Sequence, residues 1–282
     1  MRIDSHQHFW RYEPAQYPWI GERMGVLRRD YLPGELEPLL HASGFEGTVA
    51  VQAQQAAAET DWLLELAERH AFIRGVVGWV DLCAENVDDA LERYAARPKL
   101  VGVRHIVHDE PDDDFLLRPD FRRGVGRLRV HGLVYDLLLF PKHLPRAATL
   151  VAQLPEQPFV LDHIAKPFIR DGVVSPWRED LRRLASFPNV TCKLSGMVTE
   201  ARWKDWRPAD LHPYLDAVLE AFGPSRLMIG SDWPVCLLAG DYGRTMSVVV
   251  DWTSRLSVAE RDGILGGNAA RVYLLDAGRP SR

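Results

Sequence analysis

Four polar residues stand where strand-like apolar runs give way to loops. They are His6 and His8 in Ile3-Asp4-Ser5-His6-Gln7-His8, His163 after Phe159-Val160-Leu161-Asp162, and Asp232 after Met228-Ile229-Gly230-Ser231. Three neutral imidazoles and one carboxylate form a suitable ligand set for a borderline divalent cation such as zinc, with a position left for water. The same groups also offer a base for a water molecule, Asp232, and imidazoles that can polarise a carbonyl. An HxH pair alone is a weak pattern, and an Asp after a strand often only caps the next helix. What points to one shared site is the coincidence of all four at the ends of runs, three of them beside apolar stretches where an unpartnered polar group would be costly.

Further candidates lie near the same ends. Arg104-His105 closes the fourth run, where a guanidinium could orient a substrate oxygen by a charge-assisted hydrogen bond, though which of the two faces inward is open. Lys166 follows His163 in a loop, and Lys193 sits near another run's end. The long segment 9–46 carries Trp10, Tyr17 and Trp19, aromatic faces that could stack on a sugar ring or simply pack the segment against itself. His41, His70, His131 and His212 read as surface or capping residues, whereas His108 and His143 are not assigned; the acidic run 109–114 reads as a solvated loop.

The elements that must position these groups alternate in type. Eight β-branched or apolar runs recur, Arg2 to His8, Gly47 to Ala53, Arg74 to Val80, Leu100 to Val107, Gly132 to Leu138, Phe159 to His163, Val190 to Leu194 and Arg226 to Ser231. Between them the apolar spacing becomes helical, as in Leu211, Tyr214, Leu215, Val218 and Phe222. Strongly apolar strands alternating with helices imply a parallel sheet buried on both faces. The simplest closure is a single-domain (β/α)₈ TIM barrel over residues 1–282. An open doubly wound sheet is the alternative, but no GxGxxG follows a strand and there is no P-loop. In a barrel the first, sixth and eighth strands lie on neighbouring arcs, and strict alternation puts Asp4, His6 and His8 on one face. Ser257 and Glu260 form a capping-box pattern, and residues 268–275 form a separate short helix after Gly266-Gly267.

With 46% hydrophobic and 26% charged residues, a net charge of −5 and scattered Lys and Arg, the chain is a globular protein without the concentrated basic surface of a nucleic-acid binder. No apolar run approaches membrane-spanning length, and no signal peptide is expected. Cys83, Cys192 and Cys236 lack CxxC spacing and suit reduced thiols in a cytoplasm. The oligomeric state is not readable.

At these residues the chain resembles the amidohydrolase superfamily, in its amidohydrolase-related branch containing sugar-acid lactonases. The carriers are Ile3-Asp4-Ser5-His6-Gln7-His8-Phe9-Trp10, Leu161-Asp162-His163-Ile164-Ala165-Lys166-Pro167, Lys193-Leu194-Ser195-Gly196, Gly230-Ser231-Asp232-Trp233-Pro234 and Gly266-Gly267-Asn268-Ala269-Ala270-Arg271, spread over essentially the whole chain. The resemblance implies that His6, His8, His163 and Asp232 are the active-site residues and the ligands of one divalent metal, zinc or alternatively manganese. Some lactonases of this branch work without a metal, so its need stays open. Binuclear relatives use a modified lysine on the fourth strand and a histidine on the fifth; here those strands end in Arg104-His105 and read Val134-Tyr135-Asp136-Leu137, so a second metal is not expected. The implied reaction is hydrolysis of an aldonolactone of a deoxy sugar, such as L-fuconolactone or L-rhamnonolactone. The alternatives are non-oxidative decarboxylation of an aromatic acid, known in the same branch, and a non-catalytic barrel that binds sugar acids.

Overall fold

The computed structural model describes residues 1–94 and 96–275. The expected domain limit at residue 282 lies outside the described residues. Eight parallel strands follow one another in a single sheet in chain order: β1 (Ile3–Gln7), β2 (Gly47–Val51), β3 (Ile73–Gly78), β4 (Leu100–His105), β5 (Val134–Leu137), β6 (Phe159–Leu161), β7 (Val190–Leu194) and β8 (Leu227–Ile229). The ends of the sheet meet through a parallel bridge between Gln7 and Trp233, with His8 N donating to Trp233 O at 2.7 Å and Asp232 N donating to His6 O at 2.8 Å. The sheet therefore curls into a TIM barrel.

Helices cover the outside: α1 (Pro33–Ala42), α2 (Ala57–Arg69), α3 (Val87–Arg93), α4 (Pro119–Leu128), α5 (Leu144–Gln153), α6 (Trp177–Ala185), α7 (Met197–Glu200), α8 (Pro208–Phe222), α9 (Tyr242–Trp252), α10 (Val258–Asp262) and α11 (Asn268–Val272). Their periodicity explains the packing. In α4, Phe121, Val125 and Leu128 recur at helical spacing and are buried, while Arg122, Arg123 and Arg127 are not. The Ser257–Glu260 capping box forms at the start of α10, and α11 is a separate helix past Gly266, as the sequence suggests. No helix among the described residues is long and apolar enough to cross a membrane.

A second apolar cluster fills the lower barrel. It joins Ile3, Val49, Val51, Val77, Val134, Val160 and Met228 to Ala269 and Tyr273, so the segment around α11 floors the barrel. Gly102 is required by the neighbouring strand rather than by this floor, since a Cβ there would stand 3.0 Å from Val134 O. The register of β1 against β2 shifts between Asp4 and Gln7. One consequence corrects the expectation that Asp4 shares a face with His6 and His8. The irregularity changes the parity of the strand, and Asp4 bonds Ser231 and, at 3.2 Å, the Tyr242 hydroxyl of α9 instead.

Candidate active site

β6 stops at Leu161, so His163 is not strand-terminal but sits in a loop of unusual backbone. His163, Ile164, Ala165 and Lys166 all have left-handed φ values, 53°, 49°, 61° and 50°, and Asp232 has 57°. Such a conformation costs an L-residue roughly 1–2 kcal/mol, so neighbours must enforce it. Trp177 Nε1 donates to Ile164 O at 2.8 Å, and Ser195 Oγ lies 2.8 Å from His163 Nδ1. Gly196 closes the other side: it has φ 63°, and a Cβ there would stand 2.6 Å from His163 Nδ1. The result of this strained turn is that His163 and Lys166 both face one cavity.

The four expected groups converge. Asp232 Oδ1 lies 3.3 Å from His8 Nε2, 3.8 Å from His6 Nε2 and 3.9 Å from His163 Nε2, and the His6 and His8 Nε2 atoms are 3.2 Å apart. Tetrahedral ligands at zinc–nitrogen distances are separated by about 3.3 Å, so the donor set fits one small divalent ion. Burial pushes the His6 and His163 imidazoles well below their ordinary range, leaving them neutral and able to offer lone pairs. Burial opposes ionisation of Asp232 as well, but its interactions with the neighbouring His163 and His8 rings outweigh it, and its carboxyl lies below the usual value.

Beneath this group lies a buried ionic layer that sequence reasoning largely missed. Arg104 points inward, donating to Asp162 Oδ2 at 2.9 Å and to the Gln52 side chain at 3.0 Å. Lys193, fully buried, holds Asp136 Oδ2 at 2.6 Å and Asp162 Oδ1 at 3.0 Å. The Tyr273 hydroxyl completes the layer from below, 2.9 and 2.8 Å from the Asp136 oxygens. Burial and the neighbouring Asp162 charge raise Asp136 to about 6 against the pull of Lys193. For Asp162 burial is again the largest effect, yet Lys193, His6 and Arg104 together hold it well below the usual range. The available signal was a charged residue inside an otherwise apolar strand, as in Val190-Thr191-Cys192-Lys193-Leu194.

Above the four groups opens a cavity of about 310 Å³. The loops after β8 and β1 give it an apolar arc of Val235, Leu238, Trp19 and Met24, and the loops after β4, β6 and β7 add His108, Asp109, Lys166 and Glu200. Lys166 donates to Glu200 at 3.1 Å. His108, stacked on Phe140, is pushed down to about 3 by burial and by the Lys166 and Arg104 charges, so it is neutral. Trp203 is a wall residue that the sequence did not single out.

Three expected substrate contacts lie elsewhere. His105 faces outward, stacked on Phe115 and 2.6 Å from Glu110, because Arg104 takes the inward position on β4. Trp10 is fully buried with Nε1 donating to Arg29 O at 2.9 Å, and Tyr17 packs against it, ring centroids 5.8 Å apart. Of the three loop aromatics, only Trp19 lines the cavity. His131, read as a surface or capping residue, is largely buried beside Asp88, and His143 accepts from Phe140 N at 3.1 Å.

A TIM barrel with imidazoles and a carboxylate gathered at the carboxyl ends of its strands defines a hydrolase-type barrel enzyme. The amidohydrolase family matches residues 3–275, and the chain belongs to that family. It is 49% identical to an L-fucono-1,5-lactonase of Burkholderia multivorans, over 98% of this chain and 96% of that one. An L-fucono-1,5-lactonase of Burkholderia ambifaria is 39% identical over 99% and 97%. Among solved structures, an amidohydrolase from Burkholderia multivorans with bound zinc superposes with a TM-score of 0.93 at 50% identity, covering 97% of this chain and 99% of that one.

Proposed function

We propose that the protein opens the ring of an aldonolactone of a deoxy sugar, with L-fucono-1,5-lactone the first candidate, and that Asp232 is the base. The observation that carries this reading is the ionised Asp232 carboxylate at the base of a sugar-sized cavity, ringed by three imidazoles. Ester hydrolysis needs a base for water, a polarised carbonyl and a proton for the leaving oxygen. Asp232 takes the proton as water attacks the carbonyl carbon, then returns it to the ring oxygen as the C–O bond breaks. His6, His8, His163 and Asp232 would hold a divalent ion, which when bound supplies a Lewis acid for the carbonyl. Three imidazoles and a carboxylate favour zinc, with manganese second, and the base chemistry of Asp232 does not itself need the ion.

The cavity's chemistry supports a small neutral substrate. At about 310 Å³ it lies at the small end of ligand cavities, which run from about 300 to 1,000 Å³. A deoxy sugar's methyl group and ring C–H face suit Trp19, Met24, Val235 and Leu238, while His108, Asp109, Lys166 and Glu200 can read hydroxyls. Arg104 and Lys166 each already hold a carboxylate, Asp162 and Glu200, which disfavours a dicarboxylate or an aromatic acid awaiting decarboxylation. Three free thiols, Cys83, Cys192 and Cys236, suit a reducing compartment, and we assign the enzyme to the cytoplasm.

The test is a panel of aldonolactones and a pyrone dicarboxylate assayed with a pH indicator, with and without zinc or manganese, alongside carbon dioxide detection on aromatic acids. Neutral deoxy-sugar lactones should release one proton per turnover with the highest kcat/KM. A dicarboxylate outranking every neutral lactone, or carbon dioxide release without lactone turnover, would overturn the reading.

A further inference from the structure

The joint between β8 and β1 is made differently from the rest of the barrel. The other neighbouring strands run together in ladders, whereas β8 and β1 are joined, among the described residues, by the isolated bridge between Gln7 and Trp233. Side chains stand in for ladder bonds there. Ser5 Oγ donates to Ile229 O at 2.6 Å, and Asp4 gathers four donors. Its Oδ1 accepts from His6 N at 3.1 Å and Ser231 N at 2.9 Å, and its Oδ2 accepts from Ser231 Oγ at 2.6 Å and the Tyr242 hydroxyl at 3.2 Å. The bond from His6 N closes a turn of the chain on its own side chain, inside the stretch where the register with β2 shifts. Gly230 allows the two strands to approach this closely, since a Cβ there would stand 2.7 Å from His6 Cβ.

These bonds surround Asp232. Ser231 Oγ, held by Asp4, also accepts from Trp233 N at 3.0 Å, so the residues on both sides of Asp232 are fixed through one carboxylate. Asp232 N in turn donates to His6 O at 2.8 Å, and His6 is the residue whose own amide Asp4 holds. The left-handed φ of 57° at Asp232 is unfavourable for an L-residue and persists only between flanks that cannot relax. A carboxylate that takes four donors is such an anchor, because hydrogen bonds to a charged acceptor are roughly twice as strong as neutral ones.

We propose that Asp4 is a positioning residue for the ring-opening reaction: through Ser231 it fixes the left-handed turn that aims Asp232 into the cavity and sets it opposite His6 across the seam. Asp4 is fully buried and is not part of the cavity wall, so it acts through the turn and not on the lactone. The register shift in β1 then has a use. It turns Asp4 away from the face of His6 and His8 to the place where the turn after β8 can be held. The inference rests on Asp232 being the base but not on which lactone is opened or on an ion.

The test uses Asp4→Ala, Ser231→Ala and the double variant, with two readings. In lactone kinetics, Asp4→Ala should lower kcat at least about tenfold and leave KM within about threefold, the signature of a displaced reacting group rather than of lost binding. The double variant should lose no more than about threefold beyond Asp4→Ala, because both changes break one link. In amide hydrogen exchange followed by NMR, Asp232 N and His8 N should exchange at least about tenfold faster in Asp4→Ala, although neither bonds Asp4, while amides of β4 and β5 keep their wild-type rates. A folded Asp4→Ala enzyme with kcat within about threefold of wild type overturns the proposal, as do unchanged exchange at Asp232 and His8 or a double variant whose loss is the product of the single losses. If Asp4→Ala does not fold, Ser231→Ala is judged by the same two readings. Asp232→Asn tests the base separately: an active Asp232→Asn enzyme removes that reading, and the exchange rates still decide whether Asp4 holds the turn.

Discussion

Trp10→Ala and Trp19→Ala together separate an aromatic that holds the first loop from one that touches ligand. Trp10 is fully buried, its indole N–H bonds Arg29 O at 2.9 Å, and the rings of Tyr17, Trp19 and Tyr31 surround it at 5.8, 5.8 and 5.5 Å. Truncating such a side chain costs about 3–5 kcal/mol. At roughly 2 °C per kcal/mol for a chain of this size, Tm should fall by roughly 6–10 °C. Because Trp10 does not itself line the cavity, KM of the surviving folded enzyme should change by less than about threefold. Trp19 lines the cavity and is only partly buried, so its removal should cost less than half as much Tm. It should raise KM by about 5–30-fold, the equivalent of 1–2 kcal/mol of apolar contact. Thermal melts and lactone kinetics on both variants measure this. A Trp10→Ala enzyme with Tm within about 2 °C of wild type, or with a KM increase matching that of Trp19→Ala, would refute the division of roles.

Asp232→Asn should lower kcat by about 10² or more with little change in Tm, because the amide cannot take a proton while asparagine tolerates the left-handed backbone at this position; turnover within about threefold of wild type would remove Asp232 as the base. Gly196→Ala should destabilise by about 2–4 kcal/mol in urea and sharply reduce kcat/KM, since the new methyl meets the His163 ring and the backbone is left-handed; unchanged kinetics would show that His163 does not depend on this contact. Glu59, buried and accepting from Ala53 N and Gln54 N, is pushed up to about 8 by burial. Its folded value lies above the unfolded one near 4.5, so the folded state keeps a proton that the unfolded state has lost, and stability should fall as pH rises between those values, by at most about 1.4 kcal/mol per unit. Glu59→Gln should flatten that slope in melts from pH 5 to 8, and parallel curves for the two proteins would contradict it.

The barrel and the convergence at its mouth were legible because both leave one-dimensional traces. Strands buried on two faces must be apolar throughout, so His6, His8, His163 and Asp232 stand out at their ends. The layer beneath them leaves a fainter trace. Asp136, Asp162, Lys193 and Tyr273 are far apart in the chain, and each looks like an isolated anomaly until closure of the barrel pairs it with the others. Parity was the other obstacle. One register shift in β1 was enough to turn Asp4 away from His6, and residue type alone could not tell that Trp10 is buried by the same loop that exposes Trp19 to the cavity.

His6 and His8 belong to the first strand and the turn after it, and Asp232 to the turn after the last, facing each other across the seam where His8 N meets Trp233 O. Tyr273, which supports Asp136 from below, comes later still. During synthesis from the amino terminus, therefore, the two histidines emerge first and wait for nearly the whole chain before their carboxylate partner exists. A nascent chain that has made seven strands has most of its fold and all three imidazoles but not the carboxylate they surround. Activity regained during refolding would report the joining of the seam itself, because the carboxylate and the two histidines of the first strand meet only there.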